Sequence, residues 1–216
     1  MLAILLALGT WQLHRRTWKL GILAAIDTAE RAPPAPLGPH PAPFAKVQVT
    51  GRLRTDLAAR YGIEARPGPD GTVLGSQLIV PLQPPQGPPV LVDLGWLPAQ
   101  AHPPLPNGPV SIQGYVREPS HPGWFTPSDD PAARQFYALD PARIGAALGL
   151  PAMAPFTVVA LGPPGGPLGG LSGVPDPAQH LPRPPNDHLQ YALTWYGLAA
   201  ILAFMFAAYV VKGPRA

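Results

Sequence analysis

The sequence predicts an α+β membrane protein with two transmembrane helices flanking an antiparallel β-sheet or partly closed β-barrel domain that also carries a short helix. Residues 189–211 are 23 consecutive residues without a formal charge, enough to cross a bilayer core of roughly 30 Å at about 1.5 Å per residue. Residues 2–13 form a second apolar run near the other end of the chain. Between them, short apolar stretches are separated by loops rich in glycine and proline, which is typical of β-strands.

These observations divide the chain into three predicted segments. Residues 1–31 are expected to be the first transmembrane helix with its extension, residues 32–185 an extracytoplasmic β-rich domain, and residues 186–216 the second transmembrane helix with a short cytoplasmic tail. The 34 prolines and 23 glycines approach a low-complexity composition, but the hydrophobic content of 46% favours a folded domain.

Composition also excludes several classes of function. The chain has no cysteine, so disulfides, thiolate catalysis and cysteine zinc sites are excluded. A net charge of +3 without a dense basic patch outside the first segment gives no reason to expect nucleic acid as a partner. The sequence contains no nucleophile elbow, P-loop, dinucleotide fingerprint or zinc-protease motif, and no nucleophile–base pair is evident, so we expect no enzymatic activity.

The first helix is predicted to continue to about Arg31, where a run of prolines ends it. Its apolar part would reach only about 18 Å, so we expect either that the chain starts upstream or that the membrane thins locally. Two neighbouring faces carry the polar residues: Trp11, Arg15 and Trp18 on one, and Gln12, Arg16 and Lys19 on the next. Interfacial anchoring is the simpler interpretation of these cations, and a dedicated anion site is the alternative.

Strands are predicted at residues 44–53, 73–82, 90–97, 110–116, 136–139 and 156–161, with residues 61–71 forming turns. A short helix is predicted over residues 140–148, with Asp140 as N-cap, Pro141 in the first turn and Gly149 at its end. It would cover one face of the sheet. Residues 162–185 are expected to be a loop leading back to the membrane.

Charge predicts the orientation of the last helix. Lys212 and Arg215 follow it, whereas Asp187 is the charge nearest its start. The positive-inside rule then places the C-terminus in the cytoplasm and the β-rich domain outside.

His188 stands at the outer end of this helix and is the main candidate functional residue. Asn186 or Asp187 before it can cap the helix, and Tyr191 and Trp195 follow on the same face. A neutral imidazole here can ligate haem iron beside an aromatic wall, or the three residues can form an ordinary interfacial belt. A second stripe, of Gln190, Thr194 and Gly197, suits packing against the first helix.

Three motifs, in the right order and spacing, resemble the surfeit-locus-one family of cytochrome c oxidase assembly factors. The opening LGTWQ at residues 8–12, with Arg15 and Lys19, resembles the family's L-G-x-W-Q-x-x-R-x-x-x-K. VLVDLGWLP at residues 90–98 resembles V-L-V-N-R-G-W-V-P, and NDHLQYALTWYG at residues 186–197 resembles N-N-H-L-Q-Y-A-L-T-W-F-G. Asp93 and Leu94 depart from the family's Asn-Arg, and Asp187 replaces a common Asn.

The resemblance implies a non-enzymatic assembly factor in a bacterial inner membrane, with its main domain on the periplasmic side. It implies that haem a is bound transiently and passed towards the catalytic subunit of the oxidase, and it places the family's proposed haem-ligating histidine at His188. Tyr191 and Trp195 would then line the macrocycle, and Arg15 or Lys19 would pair with its propionates.

A second hypothesis is a haem-free, membrane-anchored scaffold that holds oxidase subunits or haem a synthase. Its interface candidates are Gly95, Trp96 and the loop around Trp124.

Overall fold

The computed structural model describes residues 1–69, 71–162 and 175–213. The chain forms two compact units. The helical unit comprises Met1–Thr28 and Pro182–Ala216, and the sheet unit comprises Ala29–Leu181. Residues 163–174, which belong to the predicted loop at 162–185, lie outside the described part.

Two long helices, α1 (Leu2–Arg31) and α3 (His188–Lys212), provide the helical unit. The predicted end of α1 at Arg31 is confirmed. Within the described part of the chain, α3 is the one helix long and apolar enough to cross a membrane. The prediction of two transmembrane helices is therefore not confirmed, because His14, Arg15, Arg16 and Lys19 interrupt the apolar run of α1.

Eight strands form one sheet in the described part of the chain, in the spatial order β1-β2-β6-β8-β5-β4-β3-β7. Their bounds are β1 Ala35–Pro36, β2 Lys46–Leu53, β3 Ala59–Gly68, β4 Gly71–Gln83, β5 Val90–Pro98, β6 Pro109–Arg117, β7 Gln135–Phe136 and β8 Thr157–Ala160.

The sheet is mixed, which corrects the prediction of an antiparallel one. The three parallel pairs are β1 with β2, β3 with β7 and β5 with β8. Strand β8 returns after a helical connection and inserts between β5 and β6, so it runs parallel to one and antiparallel to the other. Strands β2 and β4 also pair, but only at Arg52–Gln83 and Leu53–Leu82, so the sheet curls without forming a closed barrel.

The central strands are buried on both faces. One face forms the larger core, which includes Val80, Val92 and Val158. The other carries Ile79 and Leu91 and is covered by the short helix α2 (Pro141–Ala147) through Ile144. The predicted capping of α2 is confirmed: the Asp140 carboxylate accepts hydrogen bonds from the backbone N–H groups of the first turn, and Gly149 follows the helix with a φ of 76°.

Two predicted elements of the sheet unit are wrong in detail. Residues 61–71 were expected to be turns, but most of them belong to β3, which pairs with β4 around a bulge between Tyr61 and Glu64. Glycine and proline within β3 concealed this strand, because cross-strand hydrogen bonds outweigh their weak strand propensity here. Of the strand predicted at 136–139, only Phe136 lies in β7.

The interface candidates of the scaffold hypothesis differ in exposure. Gly95 and Trp96 are buried within β5, and the Trp96 indole N–H donates to the Glu64 carbonyl. They cannot provide a free surface. Trp124 and Phe125, by contrast, are fully exposed.

Candidate functional site

His188 is the first residue of α3 and is half-buried. Asp187 is the N-cap residue, but its side chain makes no capping hydrogen bond. The Asn186 side-chain oxygen is buried and has no hydrogen-bond partner within the described residues. The expected side-chain capping of α3 is therefore absent from the described chain, and other contacts determine where the imidazole lies.

Gln12 of α1 contacts this imidazole directly. The Gln12 side chain is buried, and its Oε1 atom lies 2.7 Å from Nδ1 of His188. An amide oxygen accepts hydrogen bonds, so with Oε1 of Gln12 as the acceptor the Nδ1 atom is the donor in this contact. A neutral imidazole in this tautomer keeps its lone pair on Nε2, the atom through which histidine can bind a metal.

The helices also meet at a second point, between Thr10 of α1 and Tyr196 of α3. The Thr10 hydroxyl and the Tyr196 phenol are 2.9 Å apart. A Cβ atom placed on Gly9 would lie 2.8 Å from the Tyr196 ring, so only glycine at this position leaves room for the aromatic side chain. Because Gln12 contacts His188 while the earlier Thr10 contacts the later Tyr196, the two helices run antiparallel.

The packing face of α3 differs from the predicted one. Gln190, Thr194 and Gly197 are exposed, and a Cβ atom on Gly197 would meet nothing within 4 Å. The buried residues are Ala192 and Ala199. The stripe of α3 that packs against α1 therefore does contain small side chains, but it lies on the helix face that begins at His188. On that face, Gly9 of α1 accommodates the Tyr196 ring.

Tyr191 and Trp195, the predicted aromatic wall, lie three and seven residues after His188 on α3. Tyr191 is 56% exposed and Trp195 is half-buried. The exposed face of Tyr191 remains available to a ligand beside the imidazole.

The two polar faces of α1 have different environments. On one, Trp11 and Trp18 are exposed, and the Arg15 guanidinium lies 3.9 Å from the centroid of the Trp18 ring. On the other, Arg16 and Lys19 are half-buried and follow Gln12 at the next two helical turns. Lys19 thus shares a face with the residue that holds His188, whereas Arg15 is engaged with Trp18 on the neighbouring face.

An ion pair adds a further connection within the helical unit. Arg183, five residues before His188, lies 2.7 Å from the Asp27 carboxylate. Both side chains are substantially exposed, so this pair alone contributes little to stability.

The site residues described above lie within the segment that matches a known family. The sequence model of the SURF1 family matches residues 1–200 of the chain. The chain belongs to the SURF1 family. The family match therefore includes both sides of the Gln12–His188 pair as well as the sheet unit.

Individual relatives agree with this assignment. Surfeit locus protein 1 of Mus musculus is 29% identical over 233 residues, covering 96% of this chain and 72% of the mouse protein. The Homo sapiens protein of the same name is 29% identical over 236 residues, covering 95% of this chain and 74% of the human protein. A SURF1-like protein of Monosiga brevicollis is 29% identical over 225 residues, covering 95% of this chain and 83% of that protein.

The partner of His188 is the residue that the sequence did not reveal as functional. Gln12 and His188 are separated by 176 positions. The sequence signal for Gln12 is that it is a polar residue at the end of an apolar run and belongs to the opening family motif. The haem-binding roles assigned to His188, Tyr191, Trp195, Arg15 and Lys19 stay predictions.

Proposed function

We propose that this chain is a non-enzymatic assembly factor of haem-copper cytochrome c oxidase, which binds haem a transiently and helps deliver it to the catalytic subunit. Membership of the SURF1 family supports the assembly role. The tautomer of His188 supports the haem-binding role.

The contact that carries the proposal is the hydrogen bond between His188 and Gln12. A histidine that ligates a metal needs one ring nitrogen free of hydrogen, and a hydrogen bond from the other nitrogen orients the ring and raises its basicity. Gln12 provides the acceptor for Nδ1–H at 2.7 Å. His188 can therefore offer Nε2 to haem iron, and the donor set fits the group.

The surrounding residues suit the rest of an amphiphilic macrocycle. Tyr191 and Trp195 offer aromatic surface next to the imidazole. Lys19 shares the Gln12 face of α1 and is the better placed of the two predicted cations to pair with a propionate, since Arg15 stacks on Trp18. All these residues belong to the helical unit.

The proposed location is the outer side of a bacterial inner membrane. Lys212 lies in the last turn of α3, so the positive-inside rule places that end in the cytoplasm. His188, at the opposite end of the helix, then lies at the outer interface. A hydrophobic haem substituent can stay in lipid while the iron reaches the imidazole.

The absorption spectrum of bound haem tests this function. The full-length protein is co-expressed with the haem a synthesis enzymes and purified in detergent. We expect a haem spectrum in the wild type, none in His188→Ala, and about 10- to 100-fold weaker haem binding in Gln12→Leu, which removes the acceptor for Nδ1–H. His102→Ala is the matched control, because it removes an exposed loop histidine of the sheet unit.

An unchanged spectrum in His188→Ala would contradict the ligand assignment. If the wild-type protein retained oxidase subunits but never haem, the scaffold hypothesis would replace this proposal. The exposed Trp124 and Phe125 would then be the first residues to substitute in that interface.

A further inference from the structure

The sheet unit contains a polar cavity that the proposed haem site does not use. Its volume is about 410 Å³, and it lies beside strands β3, β5, β6 and β8. Ile63 at its edge is 65% exposed, so the cavity opens to solvent. Its charged or phenolic lining residues are Tyr61, Glu64, Arg66, Asp93, Tyr115, Arg117 and Asp176.

Asp93 is a buried carboxylate in the wall of this cavity. Only 3% of its surface is exposed. Its Oδ1 atom accepts a hydrogen bond of 3.0 Å from the Gly95 amide, and no other group of the described chain donates to it. A buried carboxylate normally receives several donors, so Asp93 has capacity for another.

Asp176 reaches the same cavity from the segment after residue 174. Its backbone pairs with that of Trp96, and a Cβ atom on Gly95 would lie 2.3 Å from the Asp176 carbonyl. Glycine at position 95, with a φ of 118°, thus permits this close approach. The Asp176 Oδ2 atom accepts from Arg66 at 2.6 Å, whereas Oδ1 is buried without a hydrogen-bond partner in the described residues.

The cations already in the cavity do not satisfy these oxygens. Arg66 is shared between Glu64 and Asp176, and it also stacks over Trp96. Arg117 donates to the Tyr61 hydroxyl at 3.4 Å and lies over that ring. With Asp93 ionised, the cavity holds three carboxylates against two guanidinium groups. Asp93 and Asp176 each keep one oxygen that receives no hydrogen bond from the described residues.

We infer that this cavity binds an organic monocation, an ammonium or guanidinium group on a slender aliphatic chain, whose N–H groups donate to Asp93 and Asp176. The two guanidinium groups and three carboxylates carry one net negative charge, which a single added positive charge would neutralise. Such a group can come from a basic side chain of a partner protein or from a free amine.

The experiment uses the full-length protein in detergent with ¹⁵N-labelled glycine. The Gly95 amide donates to Asp93 and therefore reports on changes at the cavity wall. The probes are n-propylammonium chloride and sodium butyrate at equal ionic strength. We expect a saturable shift of the Gly95 resonance with the cation and none with the anion.

Two variants locate the binding site. Asp93→Asn keeps an acceptor for Gly95 but removes the charge, so it should weaken propylammonium binding about tenfold or more. Asp176→Asn should also weaken propylammonium binding. This second variant tests the inference if Asp93→Asn folds poorly. Glu118→Gln is the matched control because Glu118 is an exposed acid outside the cavity, and it should bind as the wild type does.

A blocked peptide, acetyl-Gly-Lys-Gly-amide, distinguishes the two sources of the cation. Tighter binding of the peptide than of propylammonium indicates a basic side chain, and the reverse order indicates a free amine. An equal response of the Gly95 resonance to sodium butyrate, or unchanged propylammonium binding in both Asp variants, would overturn the inference.

Discussion

Asp93 is a single residue whose ionisation should affect the stability of the whole sheet unit. Burial raises the pKa of its carboxyl from 3.8 to about 6, against the opposing effects of the Gly95 amide, Arg117 and Arg66. Glu64, also near the cavity, raises it further. The folded protein therefore keeps a proton on Asp93 at pH values where the unfolded chain has lost it.

The sign of the resulting pH dependence follows from this proton. The contribution of Asp93 to the free energy of unfolding is fully present below pH 3.8 and is lost as the pH rises towards about 6. The full shift corresponds to about 3 kcal/mol at about 1.36 kcal/mol per pKa unit, and part of it is already lost at pH 4. We therefore expect Asp93→Asn to gain about 2 kcal/mol of stability relative to the wild type between pH 4 and pH 7. Thermal unfolding in detergent at pH 4, 5, 6 and 7 measures this difference.

Glu118→Gln controls for the loss of an acid in the same unit, and its stability should follow the wild type at every pH. A stability difference between Asp93→Asn and the wild type that stayed constant over this range would contradict the raised pKa of Asp93.

At the scale of the element, the packing of α1 against α3 depends on one close approach between the two helices. Gly9 provides the space for the Tyr196 ring, and the Thr10–Tyr196 and Gln12–His188 hydrogen bonds lie just after it along α1. The geometry of the proposed haem ligand therefore depends on helix packing as well as on the histidine itself.

Substitution of Gly9 by leucine tests this packing. Leucine raises intrinsic helix propensity by up to about 1 kcal/mol, but the added side chain must displace Tyr196, and overpacking of this kind costs about 1–3 kcal/mol. We expect Gly9→Leu to lower the midpoint of thermal unfolding measured by circular dichroism in detergent.

Gly21→Leu is the matched control on the same helix. A Cβ atom there meets nothing within 4 Å, so this variant should keep or slightly raise the midpoint. In a double-mutant cycle, Tyr196→Ala should remove most of the penalty of Gly9→Leu. Equal effects of Gly9→Leu and Gly21→Leu on the unfolding midpoint would show that the close approach of Gly9 to Tyr196 does not contribute to stability.

At the scale of the molecule, the chain consists of a helical unit and a sheet unit with separate candidate sites. The helical unit carries the His188–Gln12 pair, and the sheet unit carries the Asp93 cavity. The proposed orientation puts the sheet unit outside the cytoplasm.

The absence of cysteine makes this orientation measurable. Glu118→Cys places one thiol on the sheet unit, and a cysteine appended after Ala216 places one at the C-terminus. In intact spheroplasts, we expect a membrane-impermeant maleimide to label Glu118→Cys at once and the appended cysteine only after permeabilisation. The wild-type chain gives the background, and the reverse labelling pattern would contradict the proposed orientation.

Local signals predicted much of the fold because their causes lie within a few residues. Length and apolar content identified α3, prolines identified the end of α1, and Asp140, Pro141 and Gly149 identified α2. The prediction missed β3 because its glycines, proline and charges resemble a turn, and only pairing with β4 makes it a strand.

The sequence by itself predicted the helices and most strands, because charge, periodicity and capping residues act over short distances. It also predicted the candidate ligand His188, through the family motif in which this residue lies. The tertiary structure alone decided which residues meet. It paired Gln12 with His188 across 176 positions, inserted β8 between β5 and β6, and brought Asp93 and Asp176 into the lining of one cavity. These contacts depend on how distant segments share space, and no local pattern encodes that.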